Sequence, residues 1–169
     1  LFRLVGSEMC IRDRNNLSGN LGIGHVRYPT AGGVGKEFAQ PMYVNAPYGI
    51  SLAHNGNLTN SKKLAAELFH AERRHINTES DSEVLLNILA LELSKQEAVF
   101  PKPKDYFSAI EKTHMRINGA YAVVALITGY GILGFRDPLG IRPLTIGVRK
   151  GKNRNEYIIS SETALFSAL

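Results

Sequence analysis

Hydrophobic positions along this chain change period twice. Near the start of the clear pattern they come in short runs, Pro41-Met42-Tyr43-Val44-Asn45 and Tyr48-Gly49-Ile50-Ser51-Leu52-Ala53, separated by the turn pair Ala46-Pro47. This predicts two short antiparallel strands, 41–45 and 48–54. The period then lengthens. Leu64 and Leu68, with Ala65 and Phe69, sit four apart, while Lys62, Lys63, Glu67 and Glu72 fall on the other side. That spacing predicts an amphipathic helix to about residue 74, capped by Thr59 or Asn60. A second helix opens at Ser80, where Glu83 three residues on makes a capping box. Its apolar residues Val84, Leu85, Ile88, Leu89 and Leu91 spread round the helix, so it should be deeply buried. After Pro101 and Pro103, residues 105–116 predict a third helix with Tyr106, Phe107 and Ile110 inward. The period then shortens again. Residues 120–127 are nearly all apolar, as in a strand covered on both faces. Strands are expected at 132–135, 143–148 and 157–160, with a turn at Asp137-Pro138-Leu139-Gly140. Ser161 can cap a last helix, and the chain stops two turns in, so Leu169 is read as a truncation.

Upstream the pattern is weaker. Residues 21–28 predict a Gly-rich strand ended by Pro29, and 30–35 a loop. Residues 1–14 have no period of either kind and are read as a tail, separate from a domain spanning 15–169. Strands, then helices, then strands argue α+β with layered sheets rather than alternating βαβ units.

Composition narrows the setting. With 169 residues and 44% hydrophobic side chains, the chain can bury one core. No apolar run approaches the roughly 20 residues of a membrane helix. A single cysteine excludes an internal disulfide and a multi-cysteine metal site, and a cytoplasmic location is expected. The net charge is +5 and the pI about 9.4. The cations are dispersed, except at Arg73-Arg74 and 149–154, so nucleic acid is not the expected partner.

The candidate chemistry lies at three points. Asn55-Gly56 follows a strand, and the pair is read as breaking it. Gly permits a sharp backbone turn, which bares its N–H beside the Asn55 carboxamide. Two such donors aimed at one point can hold a developing oxyanion. The same dipeptide is also the commonest short hairpin signal. Arg27 presents a fork that matches a carboxylate. Asp81, in the first turn of a helix, can accept from an ammonium, or can simply complement the helix dipole. Together the three would fit an α-amino acid with an amide tail. His25 and His54 flank these points and are read as satisfied strand histidines rather than as a base or ligand. There is no metal-ligand cluster in the sequence and no phosphate loop.

Four stretches, GNLGIGHVRYPTAG, QPMYVNAPYGISLAHNGNLTN, RRHINTESDSEVLLNILALEL and FRDPLGIRPL, closely resemble the glutamine amidotransferase domain of the amidophosphoribosyltransferases. The resemblance covers about 17–169. Other class II amidotransferases, of the asparagine synthetase and glucosamine-6-phosphate synthase kinds, share the Arg and Asn-Gly pieces but not the whole text. They remain alternatives, as does a non-enzymatic basic module for polyanions. The resemblance implies a four-layer αββα N-terminal-nucleophile fold, here incomplete at its N-terminus. It implies that an N-terminal Cys attacks glutamine, that Asn55 and Gly56 form the oxyanion hole, and that Arg27 and Asp81 hold the carboxylate and amine, with Thr30 nearby. It implies that ammonia passes to a phosphoribosyltransferase domain acting on phosphoribosyl pyrophosphate. That domain, with its magnesium, is absent from this text, and no cofactor is expected in the part present. The family also implies a homo-oligomeric parent.

The chain departs from the family at both ends. Met9-Cys10-Ile11 imitates the family opening, but Ile stands where Gly is expected. Cys10 also lies too close to Arg27 for the intervening strands and helix. Cys10 is therefore not the expected nucleophile, VGSEMCIRDR reads as translated sequencing adapter, and the chain as written is expected to be inactive.

Overall fold

The computed structural model describes residues 19–26, 38–96, 101–152 and 154–168. Its elements run β1 (Met42–Val44), β2 (Ile50–Leu58), α1 (Ser61–His70), α2 (Asp81–Ser94), α3 (Pro103–Arg116), β3 (Gly119–Ile127), β4 (Gly131–Arg136), β5 (Thr145–Lys150) and β6 (Asn155–Ser160). A short 3₁₀ helix follows, Thr163–Ala168. Strands β1 to β4 make one antiparallel sheet in chain order, and β5 and β6 make a second. The class is α+β, as the pattern of elements predicts. Among the described residues no helix is long and apolar enough to cross a membrane.

Helix α2 is the centre of the core. Every residue from Ser82 to Leu93 is buried. It packs on β1 and β2 with one side and on α1 and α3 with the others, which is why its sequence is apolar all round. Leu85, Ile88, Leu89 and Leu93 are fully buried, each removing about 1.5–3 kcal/mol of side chain from water.

The sheet faces follow from register. Ile50, Leu52, His54, Gly56 and Leu58 of β2 lie opposite Ile127, Ala125, Val123, Tyr121 and Gly119 of β3, and these form the helix-facing side. Phe135 continues that side on β4, meeting the rings of His114 and Tyr121. Gly134, one residue along, faces the other way. A Cβ there would meet Ile159 of β6 at 3.1 Å, so the second sheet sits against the far face. Phe166 of the 3₁₀ helix in turn covers Gly147 on the outside of β5. Helices, four-stranded sheet, two-stranded sheet and 3₁₀ helix thus follow the αββα order.

Several local expectations are corrected. The strand does not break at Asn55-Gly56: β2 runs through both and stays paired with β3 to Leu58. Residues 21–26 carry no strand, and 27–28 lie outside the described residues. Helix α1 stops at His70 rather than near residue 74, and Phe69 is 56% exposed. Phe107 is likewise outside, at 64%, while Ala109 and Thr113 join Tyr106 and Ile110 inside. Asn60 occupies the N-cap of α1 without capping it. Its amide bridges instead to the Arg116 carbonyl at 2.9 Å and the Asn118 N–H at 3.0 Å, fastening α1 to the α3–β3 junction.

Arg116 fastens the helix layer from the same junction. It donates to Glu92 of α2 and to Glu67 of α1, both at 2.6 Å. Glu92 is buried and Glu67 is 41% exposed. We therefore expect Arg116→Ala to cost about 2 kcal/mol in urea unfolding, because it leaves a buried carboxylate with Lys95 alone. Glu67→Ala should cost less than about 1 kcal/mol. Equal effects would contradict this account.

Candidate active site

The site is built on one edge of β2. In an antiparallel ladder, successive amides point alternately to the two neighbouring strands. The Thr59 amide bonds to the Asn118 carbonyl at 2.8 Å, so odd-numbered amides of β2 face β3. The amides of His54, Gly56 and Leu58 therefore face the other edge. Strand β1 covers that edge only as far as Leu52. Beyond it, side chains take over. The His54 amide donates to Gln40 Oε1 at 2.6 Å, and the Leu58 amide donates to Asp81 Oδ2 at 2.9 Å. By this alternation the Gly56 amide lies between the two, on an edge that no described strand covers beyond Leu52.

Gly56 is held there by close packing. Its φ is +152°, and a Cβ would fall 2.1 Å from the Ala120 carbonyl oxygen and 2.7 Å from Tyr121 Cα. Gly119 repeats this across the ladder, with a φ of +144° and a Cβ position 2.1 Å from the Asn57 carbonyl oxygen. The two glycines let the strand tips approach more closely than side chains allow. Asn55, paired opposite Ala122, carries an exposed carboxamide.

Asp81 reaches this edge from the first turn of α2. Ser80 caps the helix by accepting from the Ser82 amide at 3.3 Å. The predicted capping box does not close, because Glu83 reaches further back. Its carboxylate accepts from the Asn77 backbone and amide side chain, and from the Thr78 backbone and hydroxyl, all between 2.6 and 2.9 Å. This holds the loop before Asp81 in shape. Asp81 then lies with Oδ2 on Leu58 and Oδ1 3.9 Å from His54 Nδ1.

His54 is buried between strand and helix. Its Nδ1 meets Ser82 Oγ at 3.0 Å. Burial pushes its pKa below the usual histidine value, Asp81 opposes this, and His25 and Arg142 push it further down. His25, two residues before Arg27, therefore lies near this end of the sheet. His54 is a buried strand histidine as expected, but only its Nδ1 is satisfied, and His25 is half-buried and lies on no strand. Arg27, Thr30 and Cys10 lie outside the described residues. Of the predicted site residues, the structure thus brings Asp81 onto the strand that carries Asn55 and Gly56. Sequence reasoning missed Gln40 and Ser82. Ser82 had one signal, as a hydroxyl in the second position of a helix whose middle is mostly apolar.

An α+β core thus presents a glycine amide on a strand edge with a carboxylate beside it. The glutamine amidotransferase domain family matches residues 33–168. The chain belongs to that family. Its relatives are more particular. It is 54% identical over 158 residues to the amidophosphoribosyltransferase of Pseudomonas aeruginosa, covering 94% of this chain and 32% of that one. It is 53% identical over 167 residues to the enzyme of the same name from Escherichia coli, covering 98% and 33%. Among solved structures, it superposes on the glutamine phosphoribosylpyrophosphate amidotransferase of B. subtilis complexed with ADP and GMP. That match has a TM-score of 0.64 and 30% identity, over 85% of this chain and 28% of that one. The chain spans about a third of the length of the curated relatives it matches.

Proposed function

We propose that this chain is the glutamine-binding part of an amidophosphoribosyltransferase. In this reading the glutamine side-chain carbonyl lies against the β2 edge, where the Gly56 amide and the Asn55 carboxamide donate to it. Asp81 Oδ1 takes the α-ammonium, Arg27 the α-carboxylate, and Thr30 lines the same pocket. A cysteine thiolate, which the reading does not assign to Cys10, adds to the carbonyl carbon. The C=O π electrons move onto oxygen, where the two donors stabilise the charge as it forms. Collapse breaks the C–N bond, and the leaving nitrogen takes a proton and departs as ammonia. Water then hydrolyses the thioester to glutamate. The ammonia displaces pyrophosphate from phosphoribosyl pyrophosphate in a further domain and forms phosphoribosylamine. A cytoplasmic setting fits a biosynthetic enzyme of this kind.

The observation that carries the reading is the Gly56 amide, set between Gln40 and Asp81 on one open strand edge. The test is a titration of glutamine into the ¹⁵N-labelled chain. The Gly56 amide should shift, and Asp81→Ala should weaken binding tenfold or more, the loss expected of one charge-assisted hydrogen bond. Norleucine, which lacks the amide, should leave Gly56 unmoved. Equal binding by the Asp81 variant, or an equal response to norleucine, would overturn the assignment.

A further inference from the structure

We propose that His54 is a positioning residue that clamps the β2 edge to the first turn of α2, and so sets the distance between the Gly56 amide and the Asp81 carboxylate. Three hydrogen bonds close a ring. The His54 amide donates to Gln40 Oε1 at 2.6 Å, Gln40 Nε2 donates to Ser82 Oγ at 3.1 Å, and Ser82 Oγ meets His54 Nδ1 at 3.0 Å. His54 and Ser82 are both nearly inaccessible. A serine and a histidine are costly in a core unless hydrogen-bonded; here Ser82 Oγ meets His54 Nδ1, while His54 Nε2 is buried with no partner among the described residues. Each sits beside a residue of the candidate site: Ser82 follows Asp81 directly, and His54 precedes Gly56 by two. The ring that joins 54 to 82 therefore fixes 56 relative to 81.

The imidazole also fills the space beside Gly56, because a Cβ there would lie 2.9 Å from His54 Nε2. The glycine and the histidine are two parts of one packing solution. Among the described residues, the charged and titratable groups around the ring are Asp81 from α2, His25 from the segment before β1 and Arg142 from the loop after β4. Ser82 and Gln40 supply its neutral contacts. Burial favours the neutral imidazole, which suits a packing and bridging role better than proton transfer.

The clamp can be read without ligand, and only its effect on glutamine rests on the function proposed above. Three variants of the 169-residue chain separate its parts. The Asn side chain of His54→Asn places an amide where Nδ1 was and can keep the Ser82 bond. His54→Gln places its amide where Nε2 was and cannot. Ser82→Ala removes the partner. The readout is hydrogen exchange at the Leu58 amide, which Asp81 holds, relative to the Val123 amide of central β3. Protection at Leu58 should fall tenfold or more relative to Val123 in His54→Gln and Ser82→Ala, and stay within about threefold in His54→Asn. Loss at both amides together, or like behaviour of the Asn and Gln variants, would overturn the clamp. If Leu58 responds as stated but glutamine does not bind the unsubstituted chain, the clamp stands and the glutamine reading fails. If glutamine binds and Leu58 does not respond, the reverse holds.

Discussion

A chain carrying Gly56→Ala is expected to lose about 3 kcal/mol or more of stability, together with its glutamine response. Two costs add. The backbone at φ +152° is one that L side chains rarely adopt, and the new methyl would meet the Ala120 carbonyl oxygen at 2.1 Å and Tyr121 Cα at 2.7 Å. Both of those atoms are backbone, held by the β2–β3 ladder, so neither can step aside as a flexible side chain would. The Gly56↔Tyr121 pairing would have to open, and the edge amide would turn with it. Gly134→Ala is the matched control. Its methyl meets side-chain carbons, Ile159 at 3.1 Å and Leu144 at 3.5 Å, and its cost should stay below about 1 kcal/mol. Urea unfolding of the two variants decides the matter: a Gly56 variant as stable as the Gly134 one would show that the strand tips are not packed this tightly.

The same glycine marks where local reasoning stopped. Asn-Gly after an apolar run signals a turn, and nothing nearby in the chain says otherwise. What keeps β2 extended is β3, more than sixty residues away, whose Gly119 admits the Asn57 carbonyl in return. Helix α2 was legible for the opposite reason. Its Ser80 cap and all-round apolar surface are local, and burial on every side is the one environment that suits them. The aromatic residues Phe69 and Phe107 failed between these extremes. Spacing places each on a plausible inward stripe, but α1 meets α2 along the seam of Leu64 and Leu68, and α3 turns Ala109 and Thr113 inward. Spacing selects a face of a helix, and its neighbours set how wide the buried part is. At the site, the acidic start of α2 could be read, but the reach of Asp81 to the Leu58 amide could not. Neither could the ring through Gln40, His54 and Ser82, whose members lie on the segment before β1, on β2 and on α2.

Glu83→Ala should cost about 3 kcal/mol, and Glu83→Gln nearly as much, although Gln keeps the size of the side chain. The carboxylate accepts four hydrogen bonds from Asn77 and Thr78 while only 7% exposed. Alanine strands all four donors, and glutamine turns an NH₂ group onto two of them. Either change should loosen the loop that leads into Asp81 and weaken glutamine along with the fold. The sign of the pH effect follows from the same contacts. Burial works to raise the Glu83 pKa, but the Thr78 and Asn77 donors outweigh it and hold the value below the usual 4.5. Glu92 is lowered in the same way, with Arg116 and Lys95 overcoming burial. These carboxylates stabilise the fold above about pH 4.5 and cease to do so as pH falls through their folded values. His54, lowered chiefly by burial, contributes fully above its ordinary 6.5, and that contribution is lost as pH falls from there to its folded value. Stability measured against pH should therefore fall in two stages on acidification. His54→Asn should shrink the first stage, leaving the part due to His114, which burial also lowers, and Glu83→Gln should shrink the second, leaving the part due to Glu92. Stability that held level from pH 7 to below 4.5 would mean that neither the clamp nor the loop depends on the charge states assigned to it.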